Sequence, residues 1–125
     1  MFINIMYVNL IVSDQDKALA FYTRLGFEKR IDYPSPEGRF LTLGFKAQDV
    51  ELILWQGNSD LPTDVSKTTP SPGFLFIESK DLKEACRALA AEGVAFETEA
   101  EDYPFGVRAT VLDPDGNRVE LRQRR

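Results

Sequence analysis

Apolar and polar residues alternate along positions 7–12, with Val8, Leu10 and Val12 in one row and Tyr7, Asn9 and Ile11 in the other. A period of two predicts a strand with two unlike faces. After Asp14 the period changes. Ala18, Phe21, Tyr22 and Leu25 follow the i, i+3, i+4, i+7 spacing of a helix with one apolar stripe. Asp14 stands where a carboxylate caps the first turn, and Gly26 where a left-handed residue ends the helix. Three further strands are predicted over 27–33, 38–46 and 50–56.

The pattern then recurs. A strand over 74–77 leads to Asp81, a helix carrying Leu82, Ala85, Cys86 and Leu89 on one face, and Gly93. Strands are predicted over 94–99, 106–112 and 117–122. Tyr7 to Phe74, Asp14 to Asp81 and Gly26 to Gly93 share an offset of 67 residues, whereas Glu51 to Glu120 is offset by 69. Two βαβββ modules, about 3–56 and 73–122, are therefore predicted within one domain spanning 1–125. The proline- and hydroxyl-rich run over 57–72 reads as the linker. A lone module of this size buries little core, so the halves are expected to depend on each other or on a partner chain, with a homodimer the expected state.

Alternation also assigns faces. If Val8, Leu10, Val12, Leu52, Leu54, Leu75, Ile77, Val119 and Leu121 cover the helices, then Tyr7, Asn9, Glu51, Ile53, Trp55, Phe74, Phe76, Glu120 and Arg122 turn to the opposite face. That face is aromatic and acidic, a mixture suited to a small-molecule pocket. The bland alternative is an interface whose glutamates pair with Arg39, Arg108 or Arg118.

The run LDPDGNRVEL carries three carboxylates in ten residues, but its turn chemistry dominates. Pro114 presets φ, and Gly116 and Asn117 tolerate positive φ between two apolar flanks. Counted from Asp113, the glycine is fourth and Glu120 eighth, which breaks the pattern of a calcium loop.

Composition then removes classes of function. A net charge of −5 repels polyanions, so neither nucleic acid nor an anionic membrane surface is an expected partner. No apolar run is long enough to span a bilayer, and the apolar start has neither a basic residue before it nor a small-residue cleavage site after it, so a cytoplasmic location is expected. The one cysteine, Cys86, reads as a buried structural thiol. Histidine is absent, which excludes histidine-dependent nucleophilic triads and paired-histidine zinc helices.

In combination, VSDQDKALAFYTRLGFE, VELILWQG and FGVRATVLDPDGNRVEL resemble the vicinal oxygen chelate superfamily of glyoxalase I, extradiol dioxygenases and bleomycin resistance proteins. The resemblance implies an α+β fold of paired βαβββ modules, with mixed curved sheets forming a cup, one helix per module outside, and assembly as a dimer. It places the metal-ligand positions of the metal-dependent members at Tyr7, Glu51, Phe74 and Glu120. Both glutamates match, and aromatic rings replace both usual histidines. A phenyl ring donates nothing to a metal, so no metal or other cofactor is expected beyond a weakly held hard cation. The leading expectation is a metal-independent binder that sequesters an antibiotic or another cationic or aromatic ligand, with Tyr7, Asn9, Trp55, Phe74, Phe76 and Arg108 as contacts. The alternative is a lyase or isomerase acting on a small oxygenated substrate, with Glu120 as base and Glu51 as second acid–base group; a third reading makes the aromatic face a subunit contact alone.

Overall fold

The computed structural model describes residues 1–57 and 73–125, so all of the predicted linker except Gly57 lies outside the described residues. The chain divides into two compact units, Met1–Asp64 and Val65–Arg125. In the first, β1 (Tyr7–Val12), α1 (Gln15–Arg24), β2 (Glu28–Ser35), β3 (Gly38–Gly44) and β4 (Glu51–Gln56) build a sheet of order β1-β4-β3-β2. In the second, β5 (Leu75–Glu78), α2 (Leu82–Ala91), β6 (Ala95–Tyr103), β7 (Gly106–Leu112) and β8 (Arg118–Arg124) repeat it as β5-β8-β7-β6. The first strand of each unit runs parallel to the last, and the other pairings are antiparallel. The fold is thus α+β with the same mixed topology twice. Among the described residues no helix is long and apolar enough to cross a membrane.

Each helix packs on the sheet face that alternation assigned to it. Leu10, Val12, Leu41, Leu43, Leu52 and Leu54 are buried in the first unit together with Ala18, Phe21 and Tyr22 of α1. Val107, Ala109, Val111, Val119 and Leu121 are buried in the second, with Leu82, Cys86 and Leu89 of α2. At about 1.5–3 kcal/mol for each large aliphatic or aromatic side chain removed from water, this burial is the main favourable contribution to folding. Two glutamines tie the helices to the sheets at their N-terminal ends. Gln15 Nε2 donates to the Leu54 carbonyl at 2.9 Å and the Arg39 carbonyl at 3.0 Å, while Gln123 Oε1 accepts from Leu82 N–H at 2.7 Å. The predicted caps form, Asp14 accepting from Lys17 N–H and Asp81 from Glu84 N–H.

Strand ends differ from the sequence expectation where hydrogen bonding, and not pattern, carries the strand. The predicted strand over 94–99 continues as β6 to Tyr103, although AFETEAEDY holds four acids. Register shifts between Phe96 and Thr98 and between Thr98 and Glu101 break the alternation, while pairing to β7 continues through Tyr103. For the same reason β2 reaches Ser35 and β8 reaches Arg124.

DPDGN forms the β7–β8 turn. The buried Asp113 carboxylate accepts from Asp115 N–H at 2.9 Å, Asn117 N–H at 2.8 Å and Asn117 Nδ2 at 2.8 Å. Its oxygens are committed to the turn, and Gly116 takes φ +83°. A side chain at that φ is strained, so Gly116→Val is expected to destabilise by about 1–2 kcal/mol in denaturant unfolding. Calcium should leave the parent's melting midpoint unchanged.

Candidate functional site

In the first unit the sheet face turned from α1 carries a row of rings. Register sets Tyr7 opposite Glu51 and places Asn9 two residues further along β1. Phe40 on β3 joins Tyr7 edge-on at 6.2 Å between centroids and Trp55 at 5.9 Å. Trp55 Nε1 donates to Asn9 Oδ1 at 2.8 Å, which satisfies the indole N–H and orients the ring. Phe40 and Trp55 line a groove of about 560 Å³, walled further by Tyr33, Arg39 and Gln56. Arg39 is held rigidly there, donating twice to Asp32 at 2.8 Å and once to Asp16 of α1 at 2.7 Å. This is no solvent face: Thr42 is 0% exposed and Ile53, also directed away from the helix, 4%.

The second unit places a carboxylate at the corresponding position. Glu120 is 5% exposed, lies opposite Phe76 in the β5–β8 register, and faces Thr110 across β7. Thr110 Oγ1 donates to the carboxylate at 3.1 and 3.2 Å, and Arg122 Nη1 donates to Oε2 at 2.6 Å. The Arg122 guanidinium lies 4.8 Å from the centre of the Phe76 ring and 5.7 Å from that of Tyr103. Arg108 approaches the Tyr103 ring at 5.0 Å and donates to Glu101 at 2.9 Å.

The glutamates do pair with arginines, but not with the expected ones. Glu51 takes Arg30 at 3.6 Å and Glu120 takes Arg122, whereas Arg39, Arg108 and Arg118 serve Asp32, Glu101 and Glu97. Arg30 also donates to the carbonyls of Phe45 and Gln48, so it braces the β3–β4 connection. Phe74 precedes β5, and Phe76 occupies the place opposite Glu120 that Tyr7 occupies opposite Glu51. The helix offset of 67 and the strand offset of 69 explain this. Seven residues separate Tyr7 from its helix cap Asp14, and five separate Phe76 from Asp81, so equivalence read from the helices lands one pleat short on the same face. Tyr7, Asn9, Glu51 and Trp55 come together on one unit; Phe76, Arg108 and Glu120 do so on the other, with Phe74 just before them. Sequence reading missed Phe40, Tyr103 and Thr110 as members of these faces, and the partnership of Arg122. Alternation does signal that partnership, since residues 120 and 122 of one strand share a face.

A divalent metal does not fit either set of residues. Each unit offers one carboxylate at the expected position, already held by a guanidinium, beside an aromatic ring and with no imidazole or thiolate. Among the described residues no group of three or more cysteine, aspartate or glutamate side chains is placed to hold a metal ion. Deprotonated carboxylates bind a metal well only when not already neutralised, so the arginines occupy the electrostatic role a cation would fill.

The fold is shared with known proteins. A family model described as Glyoxalase/Bleomycin resistance protein/Dioxygenase superfamily matches residues 4–121. YurT, an uncharacterized protein of Bacillus subtilis strain 168, is 31% identical over 96% of this chain and 98% of its own. Among solved structures, TnmS3, an antibiotic binding protein from Streptomyces sp. CB03234, superposes with a TM-score of 0.80 at 30% identity, covering 99% of this chain and 98% of TnmS3. A superfamily member from Sphaerobacter thermophilus DSM 20745 superposes with a TM-score of 0.77 at 31% identity, covering 98% of each chain.

The ion pair at the groove rim has a measurable signature. Chiefly through its hydrogen bond, the Arg39 guanidinium holds the Asp32 carboxyl at about 2, below its ordinary 3.8, with Lys29 adding to the effect. A folded value below the unfolded one means that the pair's contribution is present above pH about 4 and lost as pH falls through about 2. A carbon-detected NMR titration of Asp32 should show its midpoint near 2, and Arg39→Gln should move that midpoint toward 3.8.

Proposed function

This chain belongs to the glyoxalase/bleomycin resistance/dioxygenase superfamily, and we propose that within it the protein is a metal-independent binder of planar aromatic small molecules that acts by sequestration. The observation that carries this reading is the fate of the two glutamates. Both stand where the resemblance implies metal ligands or an acid–base pair, and both are tied to arginines, while the rings beside them stay accessible. A base must be open to its substrate, and Glu120, 5% exposed with a guanidinium at 2.6 Å and a hydroxyl on both oxygens, is already engaged. Tyr7 and Phe76 are 37% and 53% exposed, and rings left in water are suited to stacking.

The same ion pairs bear on ligand charge. A cationic ligand was expected to find free carboxylates beside the rings, but Glu120 is fully engaged, and Glu51 pairs with Arg30 through Oε2 at 3.6 Å while its Oε1 is buried without a hydrogen-bond partner among the described residues. Aromatic stacking therefore carries the binding. The likeness to TnmS3 over nearly the whole chain supports an antibiotic or similar natural product as ligand class.

Self-association belongs to the same reading. Phe2, Ile3, Ile5 and Met6 are between 63% and 95% exposed, and they lead directly into β1, a strand paired on one side only among the described residues. An apolar run beside an open strand edge is an aggregation hazard unless another chain covers it. A homodimer is expected in sedimentation at micromolar concentration, and Ile3→Lys with Ile5→Lys is expected to yield monomer.

Ligand binding is tested by titrating the intact protein with bleomycin, a planar anthracycline and glutathione-derived hemithioacetal, following fluorescence of Trp55, the only tryptophan. The anthracycline should quench Trp55 saturably and raise the melting midpoint, with or without a chelator. Trp55→Leu should weaken it by about 1–2 kcal/mol, the order of one aromatic stacking contact plus its buried area. Turnover of the hemithioacetal that is lost in Glu120→Gln would favour the lyase reading instead.

A further inference from the structure

We propose that the second unit selects planar aromatic acids, with the guanidinium groups of Arg122 and Arg108 gripping a ring-borne carboxylate while the ring lies against Phe76 and Tyr103. The inference rests on the binding reading above and specifies its ligand class.

Arg108 and Arg122 are direct cross-strand partners in the β7–β8 register. Like charges placed opposite each other are unfavourable, and here each is offset by its own carboxylate, Glu101 or Glu120. The offset uses only part of each fork. Arg122 donates through Nη1 alone, to Glu120 and at 3.3 Å to the Leu121 carbonyl, which leaves Nε and Nη2 without a partner among the described residues. Arg108 donates through Nε, leaving both Nη groups open in the same sense. Both side chains reach the surface, Arg122 being 23% and Arg108 47% exposed.

Arg122 is also held in place. Its guanidinium is pinned by Glu120, which Thr110 holds in turn, and lies within 6 Å of the centres of two rings. A guanidinium fixed this way loses little freedom on binding, and a carboxylate matches the spacing of its remaining N–H groups. Tyr103 is shared by both guanidiniums at 5.0 and 5.7 Å, so an aryl ring on Phe76 or Tyr103 places its substituent beside both forks. A cationic aryl ligand would meet the two guanidiniums there, with Glu120 buried and engaged and only the outer oxygen of the exposed Glu101 left to receive it. The protein's net charge of −5 opposes an anion only weakly at contact distance, since physiological salt screens charges beyond about 8 Å.

The test uses 2-naphthoate and 2-naphthylmethylammonium, which share a ring and differ in charge, titrated calorimetrically into the intact protein. The naphthoate should bind at least tenfold more tightly. Arg122→Lys keeps a charge beside Glu120 but loses the fork; the double variant Glu120→Gln with Arg122→Gln removes both charges and strands neither. Each should weaken naphthoate at least tenfold and the ammonium less than threefold, with the fold checked by circular dichroism. In the parent, the Arg122 Nε–H resonance should shift with naphthoate occupancy, a readout that needs no variant. Equal affinity for the two probes, an unmoved Arg122 signal, or full naphthoate affinity in a folded variant overturns the proposal. Anthracycline binding that needs Trp55 but is indifferent to Arg122 would leave the binding reading standing without this selectivity; failure of every aromatic compound to bind would remove both.

Discussion

Each unit depends on one long-range contact, the parallel pairing of its first strand with its last. Parallel neighbours cannot be joined by a tight turn, so the chain must cross over between them, and in both units the crossover includes a helix that packs on one sheet face. The helix stripe and the aliphatic rows of the strands are therefore buried against each other. What remains is the other face, and the same pairing decides its contents. It brings Tyr7 beside Glu51 and Phe76 beside Glu120, residues 44 positions apart in each case.

A carboxylate on such a face cannot be left alone. Removing an ionised group from water costs several kcal/mol unless a countercharge and hydrogen bonds replace the lost hydration. A metal ion is one answer and an arginine is another. Here Arg122 serves Glu120 and Arg30 serves Glu51, from different places: the one two residues along the same strand, the other on β2 beside a register shift. The two modules share a fold and a carboxylate position without sharing the device that neutralises it.

The two faces also differ in what they offer a ligand. The first presents rings with an oriented indole and a groove whose arginine is fully engaged by two aspartates. The second presents two half-engaged guanidiniums between rings. In the reading proposed above, aromatic contact is common to both and polar selectivity belongs to the second. This division follows from how many donors each arginine has left once its carboxylate is satisfied, a quantity that net charge does not report.

Periodicity alone determined the βαβββ repeat, the helix caps, the turn at Asp113 and the face on which Tyr7, Glu51, Trp55, Phe76 and Glu120 stand, because these depend on contacts within a few residues or on the period of two. The absence of histidine likewise means that no imidazole of this chain can complete a metal site. Register and the partner of Glu51 were decided only by tertiary structure. Whether Phe74 or Phe76 meets Glu120 depends on the length of the connection to α2, and a shift of two residues leaves the alternation unchanged. Arg122 shares a strand face with Glu120 and is legible from alternation, whereas the choice of Arg30 for Glu51 depends on a register shift in β2 that no pattern announces. Local chemistry writes faces into a sequence, but the pairing of charges across a face is settled by the distances that folding creates.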